Sequence, residues 1–107
     1  MLVHHVATAA DWAEAQRTGA YTTSTRGRTL AEEGFVHASR DDQWEAVLER
    51  WYADCDEPLV LLTVDTDVLA AHGTACVEEE VPGTGQTFPH LYGPVPPAAV
   101  VAVRPLR

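Results

Sequence analysis

The sequence contains no lysine, only two cysteines and one methionine, and no apolar run of the length that crosses a bilayer. A membrane-spanning helix requires about 20 consecutive, predominantly apolar residues. Cys55 and Cys76 form neither a metal-binding spacing nor a disulfide framework, so we expect two free thiols. The N-terminus lacks the basic segment and apolar core of a signal peptide. We therefore expect a cytoplasmic protein with no membrane partner.

Positive charge is also scarce, since seven basic residues face 16 acidic ones and the net charge is −9. Such a chain repels nucleic acid backbones, which argues against general DNA or RNA binding. Arg26, Arg28 and Arg40 bracket the stretch 33–39 in sequence and form a local positive patch. Arginine forks suit phosphates, although loop arginines that merely solubilise the chain are an equally good interpretation.

The 107 residues, 46% of them hydrophobic, predict one globular domain over residues 1–107 with a single core. The pattern predicts a strand at 2–6, a helix at 9–17, a loop at 21–29 and a helical turn at 30–33. It predicts an amphipathic helix that begins just past Ser39, with Asp41 and Asp42 in its first turns and Trp44 and Trp51 as core anchors. After it, the pattern predicts a central strand at 59–64, a helical turn at 68–71, a strand at 75–81, a turn at 82–85 and a last strand at 100–103.

The stretch 33–39, with the sequence EGFVHAS, combines apolar residues with a histidine and a serine at strand spacing. In a strand, Phe35, His37 and Ser39 project to the same face, because side chains alternate with a period of two. We expect Ser39 to cap a helix that follows directly. Such a strand-to-helix junction gathers unpaired N–H groups that suit an anionic ligand. The alternative is that Ser39 is only a cap and His37 a hydrogen-bonded core histidine.

Five groups are candidates for chemistry: His5, His37, Glu80 with its neighbours Glu78 and Glu79, His90 and Tyr92. A carboxylate that points into a cleft would serve an N-glycosidic reaction by stabilising a cationic ribose. Tyr21 or Tyr92 would stack on a flat ring. Three histidines and an acid suit zinc or iron, but no HxH or HExxH spacing is present, so we expect no metal.

Three segments carry a resemblance to a known family: the first strand VHHVA followed by Trp12 and Tyr21, the EGFVHAS stretch followed by Gln43, and FPHLYGP near the end. Together they resemble the bacterial domain-of-unknown-function family 952. The resemblance implies the ADP-ribosyltransferase-like fold, an α+β architecture with a small, split, bent β-sheet, two main helices and a cleft. Enzymes of that fold bind NAD or an ADP-ribosylated substrate across the cleft.

The resemblance also implies roles for individual residues. His5 would contact a ribose, while His37 and Ser39 would lie near the nicotinamide-side ribose or the phosphates. Glu80 is the best match to the acidic residue ahead of FPHLYGP, and His90 and Tyr92 would line the same cleft. The predicted catalytic residues are Glu80, His37 and His90, and the predicted binding residues are His5, Tyr21, Ser39, Tyr92, Arg26, Arg28 and Arg40.

The leading hypothesis is an ADP-ribosyl-type transferase or hydrolase with NAD, or an ADP-ribose derivative, as its substrate. The second hypothesis is a non-catalytic module that binds a small nucleotide-like metabolite. The third is a metal-dependent enzyme that uses His5, His37 and His90.

Overall fold

The computed structural model describes residues 1–107 and contains eight strands and four helices. In chain order these are β1 (Leu2–Thr8), α1 (Ala9–Thr18), β2 (Thr23–Thr25), β3 (Arg28–Thr29), α2 (Leu30–Glu33), β4 (Val36–His37), α3 (Trp44–Tyr52), β5 (Leu59–Asp65), α4 (Thr66–Ala71), β6 (Ala75–Val81), β7 (Gln86–Tyr92), a 3-10 turn (Pro97–Ala99) and β8 (Val100–Pro105). None of the helices combines the length and apolar character that a bilayer span requires.

The strands form two three-stranded antiparallel sheets and one small hairpin. The first sheet has the order β1-β5-β8, the second β4-β7-β6, and β2 pairs with β3. An isolated bridge between His4 and Ser39 joins the two larger sheets through reciprocal main-chain hydrogen bonds of 2.7 Å. The chain therefore has a mixed α and β architecture with its β-structure divided into two halves.

Strand β5 is the central strand of the first sheet, and it is buried on both faces. Leu62 and Val64 belong to one cluster of 12 buried residues. Leu59 and Leu61 project to the other side and belong to a second cluster, of six residues. The continuous apolar run predicted a central strand of this kind, and the prediction is confirmed.

The helices α1 and α2 begin and end at residues with known capping chemistry. Thr8 accepts a hydrogen bond from the Asp11 main chain at the start of α1. Thr29 and Glu32 form a reciprocal capping box at the start of α2. Gly34 ends α2 with a φ of 88°, a conformation that glycine adopts without a Cβ penalty. The predicted helix and helical turn are confirmed, and α2 leads directly into β4.

The prediction that Ser39 caps the next helix is wrong. Helix α3 begins at Trp44, and Gln43 occupies the position before it. The main chain of Ser39 is instead engaged in the bridge to His4, and residues 41–43 form a turn. His37 therefore does not lie at a helix N-terminus, and the structure provides no anion site of that kind beside it.

The amphipathic helix α3 exists as predicted, but its buried stripe is narrower than the sequence pattern suggests. Trp44 and Tyr52 are buried and Leu48 packs against the same cluster. These residues follow a spacing of four and lie along one line of the helix. Trp51 lies to the side of that line and is 52% exposed. The expectation that both tryptophans are core anchors is therefore wrong for Trp51.

The segment 21–29 is not the irregular loop that its polar composition predicts. Tyr21 is buried and bridges the main chain of Val95. Strands β2 and β3 form a short hairpin within the segment. Ser24 is also buried, and its hydroxyl donates to the Phe35 carbonyl. These contacts satisfy the polar groups that the sequence alone assigns to solvent.

Candidate functional site

A cavity of about 330 Å³ opens on one face of the β4-β7-β6 sheet. Its volume is in the range of small-ligand pockets in proteins. Four aromatic or imidazole rings, two carboxylates and the turn after β6 form its walls. The lining residues are Phe35, His37, Glu79, Glu80, Val81, Pro82, His90 and Tyr92.

Strand register decides which side chains reach this cavity. His37 on β4 lies directly opposite His90 on β7. Glu79 on β6 lies opposite Phe88 on β7. Opposed residues in an antiparallel pair share a face, and alternate residues of one strand do so too. His37, His90, Glu79 and Tyr92 consequently project from the same face of the sheet.

The carboxylate of Glu79 is held by two neighbours through a single oxygen. Its Oε1 accepts a hydrogen bond from His90 Nδ1 at 2.8 Å and another from the Tyr92 hydroxyl. No hydrogen bond within the protein reaches Oε2. The Tyr92 hydroxyl, and to a lesser degree His90, lower the pKa of Glu79. The carboxylate is therefore charged at neutral pH, fixed in orientation and left with one free oxygen.

His90 is buried in spite of its place in the cavity wall. Its ring stacks on Phe35 with centroids 4.0 Å apart and an interplanar angle of 18°. Because an ionised carboxylate only accepts hydrogen bonds, Glu79 fixes the proton of the imidazole on Nδ1. His90 Nε2 is the one buried side-chain nitrogen or oxygen of the protein without a hydrogen-bond partner.

His37 lies between His90 and a second carboxylate. Its ring centroid is 5.4 Å from that of His90, with the rings nearly perpendicular. Its Nε2 is 3.9 Å from Glu33 Oε1, and 39% of the side chain is exposed. Burial, together with the charge of a protonated His90, lowers the pKa of His37. His37 is therefore a neutral imidazole at pH 7 that no hydrogen bond holds in place.

His5 and Tyr21, both predicted to bind the ligand, lie in the core and not in the cavity. The His5 ring donates from Nδ1 to the His37 carbonyl, and its Nε2 accepts from the Tyr21 hydroxyl at 2.9 Å. Burial lowers the pKa of His5 from 6.5 to about 4. Burial also raises the pKa of Tyr21. Both ring nitrogens of His5 are thus satisfied as a neutral structural imidazole.

The position of His5 separates it from the two histidines of the cavity. The metal-enzyme hypothesis requires His5, His37 and His90 to converge on one site, and they do not. No group of three or more His, Cys, Asp or Glu side chains is arranged to hold a metal ion.

Alternation along β6 places Glu79 on one face of the strand and Glu78 and Glu80 on the other. We expected Glu80 to be the acid beside His90 and Tyr92, but Glu79 occupies that position. Glu79 is the acid that contacts His90 and Tyr92. Glu78 lies on the opposite face and pairs with Arg40 at 3.1 Å. Glu80 lines the cavity but forms no hydrogen bond there.

The sequence holds a signal that identifies Glu79. A four-residue turn at 82–85 pairs Val81 with Gln86. Counting back two residues along each strand places Glu79 opposite Phe88 and on the face of His90. The predicted turn was correct, and its register selects the middle glutamate.

The three predicted arginines form no common positive patch. Arg26 pairs with Asp54, Arg28 lies 3.7 Å from Glu33, and Arg40 pairs with Glu78. Glu33 is shared between Arg28 and His37, so Arg28 alone of the three is connected to the cavity wall. Ser39 is buried, and its main chain is engaged in the bridge to β1. Each of the three arginines therefore lies beside a carboxylate, and none of them is among the residues that line the cavity.

Comparison with known proteins places this architecture among solved structures. The crystal structure of protein CC0527 from Caulobacter crescentus is 28% identical over 100% of this chain and 87% of that chain, with a TM-score of 0.82. The solution structure of CC0527 is 27% identical over 95% of this chain and 81% of that chain, with a TM-score of 0.72. No curated protein matches the sequence. A family profile described as "Protein of unknown function (DUF952)" matches residues 6–103.

Proposed function

The chain belongs to the DUF952 family, and from the geometry of its cavity we propose that it is an ADP-ribosyl-type transferase or hydrolase acting on NAD or another ADP-ribose derivative. The observation that carries the proposal is the Glu79 carboxylate. It is charged, held through Oε1 by His90 and Tyr92, and free at Oε2 beside an open cavity.

This carboxylate suits the cleavage of an N-glycosidic bond. When the bond between ribose C1′ and the base nitrogen breaks, its electron pair leaves with the base and the ribose becomes a cation. A fixed anion beside the sugar stabilises that charge, because it needs no reorganisation during the reaction. Glu79 Oε2 would also accept a hydrogen bond from a ribose hydroxyl and orient the sugar.

The aromatic wall of the cavity supports a planar substrate group. Phe35 is partly exposed and stacks on His90, and the Tyr92 ring lies 5.6 Å from that of Phe35. Flat rings such as nicotinamide or adenine pack favourably against such side chains.

The proposal is tested by nicotinamide release from NAD, followed by chromatography, with calorimetry for binding. Glu79→Gln keeps the size of the side chain but removes its charge, and we expect turnover to fall by about 100-fold or more. Glu78→Gln is the matched control, because that carboxylate lies on the opposite face of β6, pairs with Arg40 and does not line the cavity. Absence of both heat and protection from melting at millimolar NAD, ADP-ribose and nicotinamide would overturn the proposal.

A non-catalytic binding module is the second candidate, and the distribution of charge favours it. Each of Arg26, Arg28 and Arg40 is paired with a carboxylate, so no free cation faces the cavity to hold a pyrophosphate. Such a module would bind a nucleoside-like ring without converting it. Equal binding by the parent and Glu79→Gln, with no product from either, would favour this candidate over the enzyme.

A further inference from the structure

We propose that His90 is the general base of the site, held by Glu79 as a carboxylate–histidine dyad and uncovered when the His37 ring moves aside. The inference rests on the proposed function for its reaction, but its geometric content is independent of any substrate. It assigns separate roles to the two histidines that the cavity brings together.

The orientation of the His90 ring is fixed by its neighbours. Glu79 Oε1 accepts from Nδ1 at 2.8 Å, and the Tyr92 hydroxyl holds the same oxygen. The carboxylate therefore selects the tautomer with its lone pair on Nε2 and stabilises the imidazolium formed when Nε2 takes a proton. Dyads that orient a general base in this way recur on unrelated folds.

The Nε2 atom of His90 has no hydrogen-bond partner. A buried polar atom without a partner costs about 1–3 kcal/mol, and such atoms are rare in folded proteins. Here the unpartnered atom belongs to a residue that lines the cavity, and its basic lone pair is free. This cost is accounted for if a substrate group reaches Nε2 during turnover.

Two side chains cover His90. Phe35 stacks on one face of the ring, and His37 lies edge-on against it. The Phe35 ring is stacked flat on His90, whereas the closest polar contact of the His37 ring is Glu33 Oε1, at 3.9 Å. A rotation about its side-chain bonds breaks no hydrogen bond. We therefore assign to His37, and not to Phe35, the movement that would open Nε2 to the cavity.

The chemical step is then balanced as follows. A water or acceptor hydroxyl attacks ribose C1′ through an oxygen lone pair while Nε2 accepts the O–H proton. The C1′–N bond breaks, and its electron pair leaves with nicotinamide. The positive charge of NAD is lost from the pyridine ring, and the proton remains on His90 until it passes to solvent.

The test begins with the unmodified protein. Nitrogen-15 NMR of the histidine rings should show His90 protonated at Nδ1 and unprotonated at Nε2 at pH 7. Diethyl pyrocarbonate, with mass spectrometry, should modify exposed His72 rapidly and His90 slowly. In His37→Ala, His90 should react at a rate comparable with that of His72.

Kinetics supply the second part of the test. His90→Gln should lower NAD turnover about 100-fold with little change in the dissociation constant. A parent protein that neither binds nor converts NAD or an ADP-ribose derivative would overturn the proposed function alone. A His90 ring protonated at Nε2, or one that stays unreactive in His37→Ala, would overturn the assignment of His90 whatever the substrate.

Discussion

Two histidines of this protein are equally buried, and the partners of their ring nitrogens distinguish their roles. His5 and His90 are each 5% exposed. Both nitrogens of His5 are satisfied, one by the His37 carbonyl and one by the Tyr21 hydroxyl. His90 has a partner for Nδ1 only. The two satisfied nitrogens of His5 are typical of a structural residue, whereas Nε2 of His90 is a basic atom that makes no contact stabilising the fold.

The buried state of His5 predicts a loss of stability in acid. Its pKa falls from 6.5 in the unfolded chain to about 4 in the folded protein. The stability it contributes is complete above pH 6.5 and is lost as pH falls toward 4, because only the unfolded chain binds the proton. We expect a loss of about 3 kcal/mol over this window, measured by urea unfolding.

The matched variants for this prediction are His5→Gln and His72→Gln. His5→Gln should be less stable at neutral pH but should show a smaller drop between neutral and acidic buffers. His72→Gln, at an exposed site, should retain the drop of the parent. An unchanged pH dependence in His5→Gln would contradict the burial of a neutral His5.

The Tyr92 hydroxyl is the larger of the two influences that lower the pKa of Glu79. We expect Tyr92→Phe to raise the pKa of the Glu79 carboxyl toward its ordinary value, because the anion loses a hydrogen bond. Carboxyl titration by NMR measures this directly. Tyr52→Phe, which alters a buried tyrosine of the second core cluster, is the control and should leave the titration of Glu79 unchanged.

At the scale of elements, local sequence patterns predict most of the helices and strands. They do not predict where α3 begins or which of its residues are buried, because both depend on contacts between residues distant in sequence. The run at 59–64 and the segment 75–81 became β5 and β6, because continuous burial and alternation are local signals. Ser39 was misread as a cap because its partner, His4, is distant in sequence. Trp51 was misread as core because periodicity does not give the width of the buried stripe.

Local patterns predict the candidate site only in part. Alternation along β6 separates Glu79 from Glu78 and Glu80 but does not by itself show which face carries His90. That assignment needs the register that the turn at 82–85 sets between β6 and β7. Likewise, the sequence does not say which of two adjacent histidines on β1 is buried. That choice follows from the packing of His5 against Tyr21.

Gln43 connects the turn before α3 to strand β7. It is buried, its Nε2 donates to the Thr87 carbonyl at 2.9 Å, and its Oε1 accepts from the Arg40 main chain at 2.9 Å. We expect Gln43→Met, which keeps the shape, to destabilise the protein by about 2 kcal/mol, because buried groups lose their partners. Urea unfolding measures the change.

Gln16→Met on the exposed face of α1 is the control for Gln43→Met. It should change the free energy of unfolding by less than about 0.5 kcal/mol. Equal effects of the two substitutions would show that the hydrogen bonds of Gln43 contribute nothing specific to the connection between α3 and β7.

At the scale of the whole molecule, β5 separates two apolar clusters that share its backbone. Leu62 is 1% exposed and belongs to the larger cluster, whereas Leu61 is 4% exposed and belongs to the smaller. Neither cluster can lose its packing without disturbing the strand that supports the other. The molecule should therefore unfold as one cooperative unit.

Leu61→Ala and Leu62→Ala test this coupling. Each truncation should cost about 2–5 kcal/mol, because it removes buried apolar surface and leaves a cavity. In both variants, tryptophan fluorescence and far-UV circular dichroism should report the same midpoint. Two separate transitions in Leu61→Ala, with the smaller cluster melting first, would contradict a single cooperative unit.

The pair of main-chain hydrogen bonds between His4 and Ser39 forms a seam, the point at which the two larger sheets are joined. Ser39 lies two residues beyond His37, and His4 is adjacent to His5. Both ends of this bridge are therefore close in sequence to His37 and His5. If the seam opens ahead of global unfolding, the amide protons of His4 and Ser39 will exchange with solvent faster than those of β5. Local opening of the cavity wall would then be measured as deuterium uptake at these two amides.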